Sequence, residues 1–247
     1  MRLGLQGRLR VAAAATLGML GATAPAKAVT LGEPAPRLAP HVVMVVERQG
    51  FCSAAVVAPD VVLTAAHCVA GKEIRVMIRD AANAPVLLAP LGVAVHPQYD
   101  KGGAQARRRS IDLALVRLPA PLPSGFLPAT LGENGRPAAG ESWTVAGYGL
   151  GEEGDPRTGG QFRAAALPVI EPYGPSTILV WLRSSTPGRG ACTGDSGGPI
   201  FAPDGSLGAI TAWAEGAGKA RCGALTQGVL VAPQRAWIGK TLAGWGR

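Results

Sequence analysis

The sequence predicts an all-β chain in two halves, with one helix at its C-terminal end. Three observations predict it. Gly and Pro are abundant, 35 and 21 of 247 residues, which suits short strands joined by turns better than long helices. Apolar and alternating runs recur at close intervals after residue 40. A Pro- and Gly-rich segment divides these runs into two groups of similar size. The length suffices for one large all-β unit or two small packed ones.

The N-terminal segment stands apart. "MRLGLQGRLR" carries Arg2, Arg8 and Arg10 with no acid, and "VAAAATLGMLGATA" follows as an apolar run too short to span a bilayer. "PAKA" then puts small residues at 26 and 28. This is the pattern of a secretory signal over residues 1–28, with a short membrane anchor as the competing reading. Cleavage after Ala28 removes Arg2, Arg8, Arg10 and Lys27, and lowers the net charge from +8 to +4. Arg107, Arg108 and Arg109 are then the only dense basic run. Without interleaved aromatics it reads as a solvated loop, so no nucleic-acid partner is expected. No second stretch is apolar enough to cross a membrane, so no membrane partner is expected after signal removal. Export to the periplasm or beyond permits disulfides among Cys52, Cys68, Cys192 and Cys222. Four cysteines allow three pairings, and their spacing does not choose. No CxxC or Cys/His spacing points to a metal.

The mature chain, 29–247, then reads element by element. "HVVMVV", "FCSAAVV", "VVLTAA", "IRVMIRD", "VLLAPLGVAV" and "DLALVRL" form a first strand series over about 41–118, separated by turn signals such as "RQG", "APD" and "AGK". Residues 119–140 form the linker. "SWTVAGYG", "FRAAALPVI", "STILVWL", "GPIFAP", "LGAITAWA" and "GALTQGVLV" make a second series over about 135–232. The tail "PQRAWIGKTLAGW" predicts a helix over about 233–244. Pro233 suits its first turn, and Ala236, Ile238, Leu242 and Trp245 suit its buried face.

Few residues can carry chemistry. The chain has three histidines: His41 at a strand start, His96 before Pro97 in a turn-like setting, and His67 in "LTAAHCV". His67 sits where an apolar strand meets small residues, so its ring can be rigid and still face a cleft. Any one of the three, taken alone, is more often structural or solvated. Asp112 leads into the apolar strand "DLALVRL"; it is either a strand-start acid or one that orients a histidine. In "TGDSGGP", Ser196 is either a turn former or a nucleophile on a tight glycine turn whose N–H groups await an oxyanion.

"LTAAHC", "DLALVRL" and "GDSGGP" occur in the order His, Asp, Ser in an exported chain with two β-rich halves. On these motifs the sequence resembles the trypsin-like, chymotrypsin-fold serine proteases of the bacterial secreted type, over residues 29–243. The resemblance implies two antiparallel six-stranded β-barrels with the active site between them and a C-terminal helix. It implies His67 as general base, Asp112 as its orienting acid, Ser196 as nucleophile, and the N–H groups of Gly194 and Ser196 as oxyanion hole. It implies disulfides Cys52–Cys68 and Cys192–Cys222, each stabilising by about 3 kcal/mol if unstrained. It also implies a primary pocket built from Gly190, Ala191, Thr193, Trp213, Ala214 and Gly228. Gly190 stands where an aspartate would pair with a substrate Lys or Arg, and Ala214 narrows the mouth by a methyl. The pocket so implied is uncharged and fits small to medium apolar side chains; Lys219 and Arg221 nearby leave a weaker case for acidic ones.

Three departures from the family pattern matter. No "IVGG"-like start follows an Arg or Lys, but "VTLG" follows the signal, so Val29 is expected to supply the amino group that pairs with Asp195. Ala212 replaces a serine that supports the acid, unless a register shift lets Thr211 supply the hydroxyl. "RDAANAPVLL" holds only Asp80 where a calcium loop needs paired acids, so no metal or cofactor is expected. Together these features predict a monomeric exported serine endopeptidase acting on protein or peptide substrates. A non-catalytic binding protein or a narrowly regulatory protease of the same fold is the alternative.

Overall fold

The computed structural model describes residues 29–247 apart from 49, 72, 81, 104–107 and 134–135. The signal reading, and Arg107 of the basic run, therefore lie outside the described residues.

The first strand series forms one antiparallel sheet of seven strands. These are β1 Val42–Glu47, β2 Gly50–Ala58, β3 Val61–Thr64, β4 Arg75–Arg79, β5 Pro85–Leu88, β6 Gly92–Val95 and β7 Ala114–Arg117. Their order across the sheet is β5-β4-β1-β2-β3-β7-β6. Two details depart from expectation. The run "VLLAPLGVAV" is two strands, because Pro90 between them has no N–H to donate to a ladder. Those two strands take opposite edges, so this half is a curled seven-stranded sheet rather than a closed six-stranded ring.

The second series does close. Strands β8 Ser142–Gly147, β9 Arg163–Ile170, β10 Leu179–Leu182, β11 Pro199–Phe201, β12 Leu207–Gly216 and β13 Gly223–Leu230 form a barrel of order β10-β13-β12-β11-β8-β9. Strands β9, β12 and β13 are long, and β12 is bulged twice against β13, between Thr211 and Trp213 and between Glu215 and Gly216. Bulges bend a strand and raise its twist, which helps a sheet curl onto itself. The helix, α1, spans Arg235–Gly244 after a 3-10 turn at Ala232–Gln234. Ile238 is its buried residue, with Trp237, Leu242 and Trp245 packed around it, whereas Ala236 faces solvent.

Each half has its own apolar core: Val43, Val45, Val56, Val62, Ile74 and Ile78 in the first, and Trp143, Val145, Leu167, Leu182 and Ile200 in the second. A third core joins them. It unites Leu63, Leu113 and Leu115 of the sheet with Phe201, Leu207 and Ile210 of the barrel and Ile238 of the helix. Each such side chain stabilises the fold by about 1.5–3 kcal/mol on burial. The halves therefore share a core, and the groups they present to their common cleft are held in register.

Candidate active site

Strand pairing brings His67 and Asp112 together. β3 ends at Thr64, opposite Ala114 of β7. The chain then passes through buried Ala65 and Ala66 into a 3-10 turn at Ala66–Val69 that carries His67. Continued antiparallel register sets residue 112 beside residue 66. The carboxylate of Asp112 uses both oxygens: Oδ1 accepts from the backbone N–H of His67 at 2.9 Å, and Oδ2 meets His67 Nδ1 at 2.6 Å. A neutral imidazole that donates from Nδ1 keeps its lone pair on Nε2. The two side chains are 39% and 18% exposed, so the ring edge remains accessible while the acid is largely covered. The disulfide Cys52–Cys68 ties the residue after His67 to β2. The Sγ atoms of Cys52 and Cys68 form one cluster with His67, whose Nε2 lies 3.5 Å from Cys68 Sγ, but the sulfurs are bonded to each other and offer no thiolate.

The turn around Ser196 is defined by where its carbonyls go. Cys192 O accepts from Asp195 N at 3.0 Å, Thr193 O from Leu150 N at 2.8 Å, and Asp195 O from Gly198 N at 2.9 Å. Gly194 O accepts from Ser53 Oγ at 2.9 Å, and Ser196 O from Ser53 N at 2.9 Å. In a trans peptide the N–H points opposite to the carbonyl it follows. Holding Thr193 O and Asp195 O thus sets the directions of the Gly194 and Ser196 N–H groups. Among the described residues neither of these two donors has a backbone acceptor.

Glycine is required at two positions of this turn. Gly194 has φ +95°, and a Cβ there would run into the Phe51 ring. Gly197 has φ +79°, and a Cβ there would strike Thr64 Oγ1 and lie 3.0 Å from Ala65 N. The turn carrying half-buried Ser196 is therefore packed directly on the strand end that leads to His67.

Asp195 is fully buried. Its carboxylate accepts from Gly149 N at 2.8 Å and Cys192 N at 2.9 Å. Burial outweighs those two donors and pushes its pKa up to about 7. Val29 is equally buried and belongs to the same apolar cluster as Ala191, of the segment leading to Asp195. Thr30 forms a β-bridge with Gly190, whose N–H donates to Thr30 O at 3.2 Å. Val29 adopts φ +47°, a left-handed conformation that a β-branched residue rarely takes.

The residues expected at the pocket do not all stand together. The bulge at Ala212 shifts the β12–β13 register, so that Ala214 faces Thr226 while Gly228 faces Thr211. Thr226 Oγ1 accepts from Ala191 N at 3.1 Å and lies 3.3 Å from where a Gly190 Cβ would be. Gly228 instead sits inside the barrel against Ile200, Ala209 and Val180. Thr226, rather than Gly228, is therefore the β13 residue that stands beside Gly190. Thr193 is exposed, and Trp213 is 45% exposed with its edge on Trp181, ring centroids 6.4 Å apart. Trp181 in turn meets Tyr173, which is 75% exposed, at 5.2 Å. The disulfide Cys192–Cys222 joins the Ser196 turn to this wall. Arg221 is held by its backbone N–H, which meets both oxygens of Glu153 at 2.9 and 2.8 Å.

The Thr211 hydroxyl does not replace the missing serine: it is buried and has no partner among the described residues. His41 Nδ1 meets Leu127 O at 2.7 Å, and His96 is buried edge-on against Trp237, so both are structural. Ser53, Thr226 and Trp181 were not singled out from the sequence. Each lies inside an ordinary strand run, and only the register shows what it faces.

Comparison with known proteins identifies the family and the fold. The family model described as Trypsin matches residues 30–238. A trypsin of Saccharopolyspora erythraea is 27% identical over 69% of this chain and 78% of its own length. Kallikrein-15 of Homo sapiens is 32% identical over 74% and 78%. The solved structure of neuropsin, a serine protease expressed in the limbic system of mouse brain, superposes with a TM-score of 0.71 at 24% identity, over 85% of this chain and 98% of that one. The chain belongs to the trypsin family and is a serine-type endopeptidase.

Proposed function

We propose that Ser196, His67 and Asp112 hydrolyse peptide bonds through an acyl-enzyme. His67 Nε2 takes the Ser196 proton as Oγ attacks the scissile carbonyl. The N–H groups of Gly194 and Ser196 receive the oxyanion, and His67 then protonates the leaving amine. Water attacks the ester by the same route in reverse order of proton transfer. Asp112 holds the imidazole in the tautomer that makes Nε2 the base and stabilises the imidazolium. The observation that carries this reading is the pair of Asp112 hydrogen bonds to His67, on a strand end against which the Ser196 turn packs with two N–H groups that have no backbone acceptor among the described residues.

The pocket favours small apolar P1 side chains. Gly190 brings no charge to its base, and Ala214 and Thr226 are cross-strand neighbours on the β12–β13 wall. One methylene there changes selectivity by about 1–3 kcal/mol. Trp213, Trp181 and Tyr173 extend an aromatic surface beyond the pocket for substrate residues further from the scissile bond.

Val29 is the working N-terminus in this reading. In the 247-residue chain its nitrogen is an amide, and its φ of +47° brings strain of about 1–3 kcal/mol. Cleavage after Ala28 removes the preceding carbonyl and with it that strain, and frees an ammonium for the buried Asp195 carboxylate. Export and activation then coincide, and no second processing step is needed. The mature enzyme acts as a monomer on protein substrates outside the cytoplasm.

The test is hydrolysis of a peptide library by the exported protein, with Ser196→Ala as control and N-terminal sequencing of the active form. Cleavage after small apolar residues by a chain starting at Val29 is expected. Cleavage after Lys or Arg would overturn the pocket reading, and an active chain starting elsewhere would overturn the N-terminal one.

A further inference from the structure

The peptide planes that aim the oxyanion donors are held partly from the other half of the molecule. Ser53 lies in β2 of the first sheet and is fully buried. Its hydroxyl donates to Gly194 O at 2.9 Å and accepts from Tyr148 N at 2.9 Å. Its backbone N–H donates to Ser196 O at 2.9 Å. Thr64 Oγ1 fixes Ser53 in turn by donating to Ser53 O at 2.8 Å. Gly147, Gly197 and Gly198 crowd it closely: a Cβ on Gly147 would lie 2.9 Å from Ser53 Oγ, and one on Gly198 would lie 3.0 Å from Ser53 Cβ.

We propose that Ser53 is a positioning residue for the oxyanion donors, its hydroxyl locking the Gly194–Asp195 peptide plane between the two donor N–H groups. The inference rests on the acyl-transfer reading above for its kinetic consequence, though not for its structural one. Gly194 has no side chain to restrict it, and its φ of +95° lies where glycine alone is unstrained. The Gly194–Asp195 peptide plane is held on its other side by Asp195 N, which donates to Cys192 O at 3.0 Å. Without the Ser53 hydroxyl the buried Gly194 carbonyl loses its partner, and the plane is left with that single hold and tilts towards another donor, carrying the adjacent N–H groups out of line. With Ser53 in place, the Gly194 carbonyl faces the first sheet. The Gly194 and Ser196 N–H groups on either side are then left to the cleft. Preorganised donors act only when their direction is fixed before charge develops.

The mutant to make is Ser53→Ala, with Ser53→Gly as a second variant in case the first misfolds. The measurements are kcat and KM per titrated active site, affinity for a peptide aldehyde that forms a tetrahedral adduct, and a crystal structure. A fall of about ten- to a hundredfold in kcat is expected, with KM within about twofold, smaller than the loss from deleting a donor outright. Aldehyde affinity should fall by the same factor as kcat/KM, and the Gly194 carbonyl should rotate. Unchanged kcat per active site would overturn the proposal, as would a lower melting temperature with unchanged aldehyde affinity. If wild-type Ser196 fails to acylate, the acyl-transfer reading falls by itself. The Gly194 carbonyl in the Ser53→Ala crystal structure still decides the positioning role, and a carbonyl left in its wild-type direction would refute it.

Discussion

The two halves of the molecule prepare their parts of the proposed site in opposite ways. The open first sheet presents side chains: His67 and Asp112 sit at the ends of paired strands, and two hydrogen bonds from one carboxylate fix the ring. The closed second barrel presents backbone: a glycine-rich turn from Cys192 to Gly198 whose carbonyls are tied down so that two N–H groups are left forward. Side-chain placement needs only strand register and buried small neighbours. Backbone placement needs every peptide plane in the turn to be held, and part of that hold comes from Ser53 in the first half. The lesson is that the halves are separate cores yet one device, joined through the shared core around Leu63, Leu115, Phe201 and Ile210.

The largest effect should come from taking one residue from each half. His67→Ala and Ser196→Ala are each expected to lower kcat by about 10⁴- to 10⁶-fold, and the double variant to be no worse than the more damaging single one. Additive losses in kcat per folded protein would mean that the halves contribute independently. Asp112→Asn comes next, at about 10⁴-fold in kcat, because an amide at this position favours the wrong imidazole tautomer. A loss under tenfold would show that the His67 backbone and disulfide orient the ring unaided.

The second half offers a pH test. In the chain where Val29 is amide-linked, Asp195 has a raised pKa of about 7 against 3.8 for an ordinary aspartate. The folded state then holds a proton that the unfolded state releases, so stability falls as pH rises from about 4 to 7. In the chain that begins at Val29, the proposed ammonium partner of Asp195 is expected to remove this penalty. Chemical unfolding of cleaved and cleavage-blocked proteins at pH 5 and pH 8 should show a gap that widens by about 2–4 kcal/mol at the higher pH. A constant gap would deny the proposed pairing of the Val29 ammonium with Asp195.

Smaller effects bear on specificity and on the seam between the halves. Thr226→Gly should shift the P1 preference towards larger side chains by about 10- to 100-fold in relative kcat/KM. His96 packs on Trp237 of α1 and accepts from Gln98 N at 3.1 Å, and burial holds its pKa below the usual 6.5. The group is neutral when folded, so its contribution is present above pH 6.5 and is lost as pH falls through the lower folded value. Unfolding of His96→Gln should accordingly vary less between pH 7.5 and 5.5 than that of the wild type.

The sequence made much of this legible. His67, Asp112 and Ser196 sit in short motifs because each needs particular neighbours: small residues before His67, an apolar strand after Asp112, glycines around Ser196. The two groups of strands and the terminal helix followed from turn residues and periodicity. Other features were not legible, for reasons of register. Thr226 and Gly228 lie two residues apart on one face of β13, and only the bulged pairing with β12 shows that Thr226 is the one beside Gly190 while Gly228 packs against Ile200, Ala209 and Val180. The open first sheet depended on Pro90 splitting one apolar run. Ser53 looked like any polar residue in a strand, because its partners are 95 and 141 residues away in the chain.

The most direct test of the central claim is covalent. The exported protein should be treated with a fluorophosphonate and the adduct located by mass spectrometry, beside Ser196→Ala and His67→Ala variants of confirmed fold. One phosphonyl group on Ser196 of the wild type, absent from the first variant and formed far more slowly in the second, is the expected result. A folded wild type that takes up no label at Ser196, or labels as fast without His67, would contradict the account.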